Sequence, residues 1–201
     1  MSNKDLSFLY GIIIGDGCLF KAKDGTVSLK VRHCIKQKDY LMYKSSILNR
    51  MFSSDNKVKE INNNGYPGCI YNVGRSSELK EIYQLFYPNG IKKISNKDII
   101  NNLTDEALAL WWMDDGCLSM KKDKNGKIKA RQGFINTYLS LEENLQLIEL
   151  LNKKFNLNLK NVKDRKAYRI RLNTSDCKDF ISIVKPYIHP IFKYKIDMQY
   201  E

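Results

Sequence analysis

Two stretches of the chain, Leu9-Tyr-Gly-Ile-Ile-Ile-Gly-Asp-Gly17 and Leu108-Ala-Leu-Trp-Trp-Met-Asp-Asp-Gly116, are each about two turns of apolar helix running into an acid and then a glycine. The first predicts a helix over Asp5 to Asp16, with Ser2, Asn3 or Asp5 as its N-cap. Strands follow over Cys18 to Lys23 and Thr26 to Ile35, joined at Asp24-Gly25. In the second strand Val27, Leu29, Val31 and Ile35 take one face and Thr26, Ser28, Lys30 and Arg32 the other, a core face and a basic face. An amphipathic helix spans Asp39 to Phe52, and a strand from Cys69 to Arg75 follows the turn at Asn62 to Gly65. A helix opened by Ser76-Ser77-Glu78 ends near Phe86-Tyr87. After residues 91–103, read as a linker with room for one helical turn, the order repeats. Thr104 caps the second motif helix, strands run over Cys117 to Lys122 and Lys127 to Thr137, and a helix over Leu141 to Phe155. Tyr168 to Asn173 is another strand, with Arg169, Arg171 and Asn173 on one face, and Asp176 to Tyr187 the last long helix.

Asp16 and Asp115 stand 99 residues apart at matching places in this repeated order. Glycines 17 and 116 read as helix stops in the left-handed conformation, which puts each carboxylate at a helix C-terminus. The helix dipole is already negative there, so a cation in front of each acid relieves the position.

The chain has 201 residues, 43% of them apolar, enough for one large domain or two fused small ones. A net charge of +12 favours a polyanionic partner. The run Phe8 to Ile14 is far short of the roughly 20 residues that cross a bilayer. The N-terminus does not lead into a secretory signal, so an intracellular protein, cytoplasmic or in an organelle matrix, is expected. Five scattered cysteines (18, 34, 69, 117 and 177) with no CxxC pair read as reduced thiols. Cys18 and Cys117 read as buried filler, and Trp111 and Trp112 as core. His33 falls on the apolar face and His189 precedes a proline, so neither is expected to act as a base.

At these residues the chain resembles the LAGLIDADG homing endonucleases. Leu9, Gly11, Ile13, Asp16 and Gly17 match the first nine-letter motif, and Leu108, Ala109, Asp115 and Gly116 the second. Trp111-Trp112-Met113-Asp114-Asp115-Gly116 has the form seen in the intron-encoded branch of the family. The resemblance implies an α+β fold of two pseudo-symmetric αββαββα repeats, 1–90 and 104–201, in a monomer. It also implies motif helices at the repeat interface (Gly11, Gly15, Leu110) and two antiparallel sheets forming a DNA-binding saddle. The implied activity is a site-specific, staggered double-strand break in a long DNA target, by hydrolysis of phosphodiester bonds. The alternative on the same fold is an intron-RNA maturase or a non-cleaving DNA-binding protein, with host intron RNA as a possible further partner.

If the two motif helices meet on a pseudo-twofold axis, Asp16 and Asp115 share one end of it, and two close carboxylates repel unless a hard divalent cation lies between them. Oxygen ligands without Cys or His point to magnesium, with manganese able to substitute. The resemblance makes Asp16 and Asp115 metal-binding acids and places Gly15 and Asp114 at the small-residue position, whose carbonyl can reach metal. It also places a lysine near each centre, Lys92 (with Lys93 the alternative) and Lys195. DNA-contact candidates are Lys21, Lys23, Ser28, Lys30, Arg32 and Arg75 in the first repeat. In the second they are Lys121, Lys122, Lys127, Lys129, Arg131, Arg169, Arg171 and Asn173.

Overall fold

Ser2 starts the first helix, α1 (Asn3–Ile14): its hydroxyl accepts the Asp5 N–H at 3.1 Å while the Asp5 carboxylate accepts the Ser2 N–H, a reciprocal capping box. Every residue from Ser7 to Ile14 is buried, which suits a helix apolar on all sides. These features belong to a computed structural model that describes residues 1–165 and 167–198, without the side chains of Asn63, Lys121 and Lys129. The chain divides into two compact units, residues 1–93 and 94–201.

In the first unit, β1 (Gly17–Lys21) and β2 (Val27–Cys34) form a hairpin through Lys23-Asp24-Gly25. Ala22 N–H donates to Thr26 O, Gly25 N–H to Ala22 O, and Gly25 takes φ +80°. The Asp-Gly signal is therefore realised as a three-residue loop with glycine in the left-handed position. A 3₁₀ turn leads into α2 (Lys38–Met51), followed by β3 (Lys59–Asn63), β4 (Tyr66–Ser76) and α3 (Glu78–Phe86). The sheet is antiparallel in the order β1-β2-β4-β3. Along β2, Val27, Leu29, Val31 and His33 are buried while Ser28, Lys30 and Arg32 are partly or fully exposed.

The second unit repeats the order after a short helix. That helix, α4 (Lys97–Asn101), lies within the stretch read as a linker; Ile99 and Ile100 are buried, and Lys154 Nζ donates to Asn101 O at 2.6 Å. Then come α5 (Asp105–Asp115), β5 (Gly116–Lys122), β6 (Ile128–Asn136), α6 (Leu141–Phe155), β7 (Lys160–Asp164), β8 (Ala167–Leu172) and α7 (Thr174–Val184). The β5–β6 turn uses the hydrogen bonds of the first hairpin, Asp123 N–H to Lys127 O and Gly126 N–H to Asp123 O. The sheet order is β5-β6-β8-β7, so each unit is an αββαββα fold. Two 3₁₀ turns, Lys185–Tyr187 and Pro190–Lys195, close the unit.

Two strands escape the periodicity. β3 (KEINN) and β7 (KNVKD) are short, polar and at sheet edges, where a strand needs a partner on one side only and carries charge without penalty. The last helix is shorter than expected: α7 ends at Val184, and the predicted remainder is the 3₁₀ turn before Ile188. No described helix is long and apolar enough to cross a membrane.

Candidate active site and nucleic-acid face

The glycines after the motif acids do not work as left-handed stops. Gly116 is extended (φ −80°, ψ 150°), and Gly17 opens β1 outside the left-handed region. What requires glycine is close approach. A Cβ on Gly17 would lie 2.6 Å from Ile12 O, and one on Gly116 2.2 Å from Trp112 Cε3 and 2.5 Å from Trp112 O. The chain turns from helix to strand across the helix's own last turn, and only a residue without a side chain fits there. The acid is thereby pinned at the corner.

In the first unit α1 ends at Ile14, Gly15 donates its N–H to Gly11 O, and Asp16 lies between helix and strand with its side chain 41% exposed. Lys92 Nζ donates to three carbonyls around it: Ile14 O at 3.2 Å, Gly15 O at 2.9 Å and Gly17 O at 3.3 Å. Lys93 is exposed, and its backbone N–H donates to Phe86 O. Of the two lysines, Lys92 is the one at this helix end.

The second unit has the same arrangement. Lys195, only 9% exposed, donates from Nζ to Met113 O at 2.6 Å and Asp114 O at 3.5 Å. Met113 and Asp114 follow Ile14 and Gly15 by 99 residues, as Asp115 follows Asp16. A lysine from the end of each repeat thus caps the last carbonyls of its motif helix, where a cation meets the negative end of the dipole. Within each unit, the negative end of the motif helix carries an ammonium on its last carbonyls.

The acids are held differently. Trp111 Nε1 donates to Asp115 Oδ2 at 3.1 Å, one helical turn away, and Asn136 Nδ2 donates to Asp115 O at 3.4 Å. Asp16 has His33 Nδ1 3.3 Å from its Oδ2. Trp111 and Trp112 are core, 1% and 0% exposed, and Trp112 Nε1 donates to Lys195 O. The indole on Asp115 was legible as an i, i+4 pair. His33 gave no such signal, because the contact joins a strand end to a helix end. Each carboxylate offers hard oxygen beside the carbonyl of Gly15 or Asp114, a donor set suited to a divalent cation of the magnesium class. Gly11, Gly15 and Leu110 are all buried.

The five cysteines are free thiols. Cys18 and Cys117 are half-buried rather than buried filler, because each sits in the first turn of a strand at the sheet edge. Cys18 Sγ lies 3.5 Å from Tyr87 Oη, and burial followed by this contact pushes the Tyr87 phenol well above its usual range. Burial, with the Asp176 carboxylate adding to it, pushes the Cys177 thiol up to about 12.

On the first sheet Ser28, Lys30 and Arg32 share the face away from the core, with the Lys30 ammonium 4.6 Å from the Phe20 ring centre. Lys23 is exposed at the hairpin tip, and Arg75 Nη1 reaches Asp24 Oδ2 there at 2.8 Å. Lys21 does not join that face. It pairs with Val27, on the helix-covered side, and its ammonium lies 5.9 Å from the Tyr83 ring on α3. On the second sheet Lys122 and Lys127 are exposed, while the side chains of Lys121 and Lys129 lie outside the described residues. Arg169 and Arg171 pair with Asn136 and Phe134, on the face away from Ile135 and Ile170. The Arg169 guanidinium covers the Phe134 ring at 4.1 Å and reaches Asp164 at 3.5 Å. Arg131 has the pleat parity of Gly133 and Ile135, so it is separated from these two. Asn173 is an N-cap: its Oδ1 accepts from Ser175 and Asp176 N–H at the start of α7, which takes that oxygen from base reading.

Residues 6–180 match the LAGLIDADG DNA endonuclease family. The chain belongs to that family. Among its LAGLIDADG relatives, a probable intron-encoded DNA endonuclease 3 of Mycosarcoma maydis is 35% identical over 121 residues, 57% of this chain and 82% of the relative. The cytochrome b mRNA maturase bI2 of Saccharomyces cerevisiae is 28% identical over 208 residues, 95% of this chain and 47% of that protein. Among solved structures, the homing endonuclease I-WcaI bound to its DNA recognition sequence superposes with a TM-score of 0.82 at 28% identity, over 98% of this chain and 88% of that one. In family terms, three letters are preserved in both motifs, and two of them make the corner: the acid and the glycine that lets the chain pass.

Proposed function

We propose that this LAGLIDADG protein is a site-specific homing endonuclease that makes a staggered double-strand break in a long DNA target by magnesium-dependent phosphodiester hydrolysis. The observation that supports it is the same pair in both units: an acid at the end of a motif helix, and a lysine ammonium on the carbonyls just before it. Asp16 and Asp115 would each bind a divalent cation, with the carbonyl of Gly15 or Asp114 in the same unit as a further oxygen donor. When bound, such a cation activates water and neutralises charge on the leaving oxygen. Trp111 fixes the Asp115 carboxylate by its Oδ2. Lys92 and Lys195 place positive charge beside each acid, where an incoming phosphate gathers negative charge in the transition state. The outward Lys, Arg and Ser side chains of the two sheets supply phosphate contacts and base-edge reading. The protein acts as a monomer, in the cytoplasm or organelle matrix that holds its target DNA.

A duplex library with a randomised target, incubated with protein and magnesium and sequenced at the cut ends, tests this reading. One long recovered site cut on both strands is expected. No cut site at any concentration of magnesium or manganese, together with tight RNA binding, favours the maturase reading, which the likeness to the yeast maturase supports. Two further outcomes are expected on the recovered site. Lys92→Met and Lys195→Met each slow single-turnover cleavage by about a hundredfold, while Lys93→Met stays within about twofold of the parent rate. Affinity falls steeply with salt, by about 10³-fold or more between 50 and 200 mM, because many phosphates are neutralised; a flat salt response contradicts the role of the basic faces.

A further inference from the structure

α2 carries a lysine where its packing demands an apolar residue. Tyr40, Leu41, Lys44, Ser45 and Leu48 form the buried stripe of this helix, and Lys44 is 0% exposed. Burying an ammonium costs several kcal/mol unless it is well solvated by protein. Lys44 Nζ lies 3.2 Å from His33 Nε2 and 4.2 Å from the centre of the Tyr40 ring, whose face attracts a cation. His33 is itself buried at the inward-facing end of β2, and its Nδ1 lies 3.3 Å from Asp16 Oδ2 and 3.2 Å from Gln37 Oε1.

The donor–acceptor sense of this chain of contacts follows once Lys44 is an ammonium. An ammonium can only donate, so His33 Nε2 must accept, and the ring proton is therefore on Nδ1. From there it points at two acceptors, the Asp16 carboxylate and the Gln37 amide oxygen. The second unit does this differently. Where its strand end meets its helix, Thr137 Oγ1 donates to Asn144 Oδ1 at 2.7 Å and Asn144 Nδ2 to Asn161 Oδ1 at 2.7 Å, a neutral network, while Asp115 is held by the Trp111 indole.

We propose that Lys44 and His33 are positioning residues for Asp16: the buried ammonium of Lys44 locks the His33 ring in its Nδ1–H form, and that N–H orients the Asp16 carboxylate. This rests on the nuclease reading above for its effect on cleavage, but the state of the His33 ring can be read without any cleavage. The contacts described for Asp115, from the Trp111 indole and the Asn136 amide, come from its own unit.

The chain has two histidines, so ¹⁵N ring shifts of the wild-type protein, assigned with His33→Asn, report the tautomer of His33 directly. The Nδ1–H form is expected in the wild type and the commoner Nε2–H form in Lys44→Met, which keeps the length of the side chain without its charge. A wild-type ring in the Nε2–H form overturns the proposal. On a recovered target, His33→Leu and Lys44→Met should slow cutting by about 10- to 100-fold, the usual cost of losing a group that orients a metal ligand. His33→Asn, whose amide nitrogen falls near the Nδ1 position, should restore most of the rate that His33→Leu loses. No slowing by either variant, or no rescue by His33→Asn, overturns the proposal. Wild-type protein that cuts nothing defeats the nuclease reading instead, and leaves the tautomer result standing.

Discussion

Asp16→Asn and Asp115→Asn each lower double-strand cleavage below about one per cent of the parent rate, a loss of roughly 3 kcal/mol or more of transition-state stabilisation. The substitution keeps size and shape, and an amide oxygen can still accept from the Trp111 indole or the His33 ring, so the fold is retained. What is lost is the charged oxygen donor that a hard cation needs. DNA affinity stays within about tenfold, roughly 1.4 kcal/mol, because phosphate contacts come from the sheet faces rather than from the acids. Single-turnover cleavage and equilibrium binding on the same duplex check both halves. Unimpaired cutting by either variant removes that acid from the chemistry, and loss of folding by both makes the acids structural.

Gly116→Ala destabilises the second unit by about 3 kcal/mol and lowers its melting temperature by roughly 6–12 °C. The added methyl meets Trp112 Cε3 at 2.2 Å and Trp112 O at 2.5 Å. The ring has nowhere to go, because Trp112 is fully buried against Phe180 with its centroid 5.1 Å away, and its Nε1 is tied to Lys195 O. Gly74→Ala is the internal comparison: nothing lies within 4 Å of its added Cβ, so it is neutral or slightly stabilising. Thermal unfolding followed by circular dichroism measures both. A Gly116→Ala melting temperature within about 2 °C of the parent shows that the corner relaxes freely, contrary to the packing described for it.

Much of the fold could be read from pattern alone, because its main elements have one buried face and one wet face. α6 falls on the predicted residues, Thr104 caps α5 as expected, and both hairpins turn at the predicted Asp-Gly and Asn-Gly pairs. The strands β3 and β7 could not be read, since an edge strand leaves little periodic trace. The basic faces were legible only in part. Ser28, Lys30 and Arg32 alternate cleanly with Val27, Leu29 and Val31, whereas β1 and the start of β6 do not alternate, and Lys21 and Arg131 lie on the opposite parity. The capping role of Asn173 was not legible, because a capping amide and a base-reading amide look alike until the next helix is in place.

The sequence by itself determined the family, the doubled order of elements and the matching places of the two motif acids, because each rests on neighbours along the chain; the lysine-bearing segments came with the family resemblance. Tertiary structure decided everything that depends on strands or chain ends meeting helices from far away. It chose Lys92 over Lys93, since only one of two adjacent side chains can turn toward carbonyls some 75 residues earlier. It set Lys44 and His33 behind Asp16, and it showed that the motif glycines serve close packing rather than a left-handed turn. Local pattern carries periodicity and caps; it carries no information about which buried side chains come within 3 Å of one another once the sheet has closed over the helices.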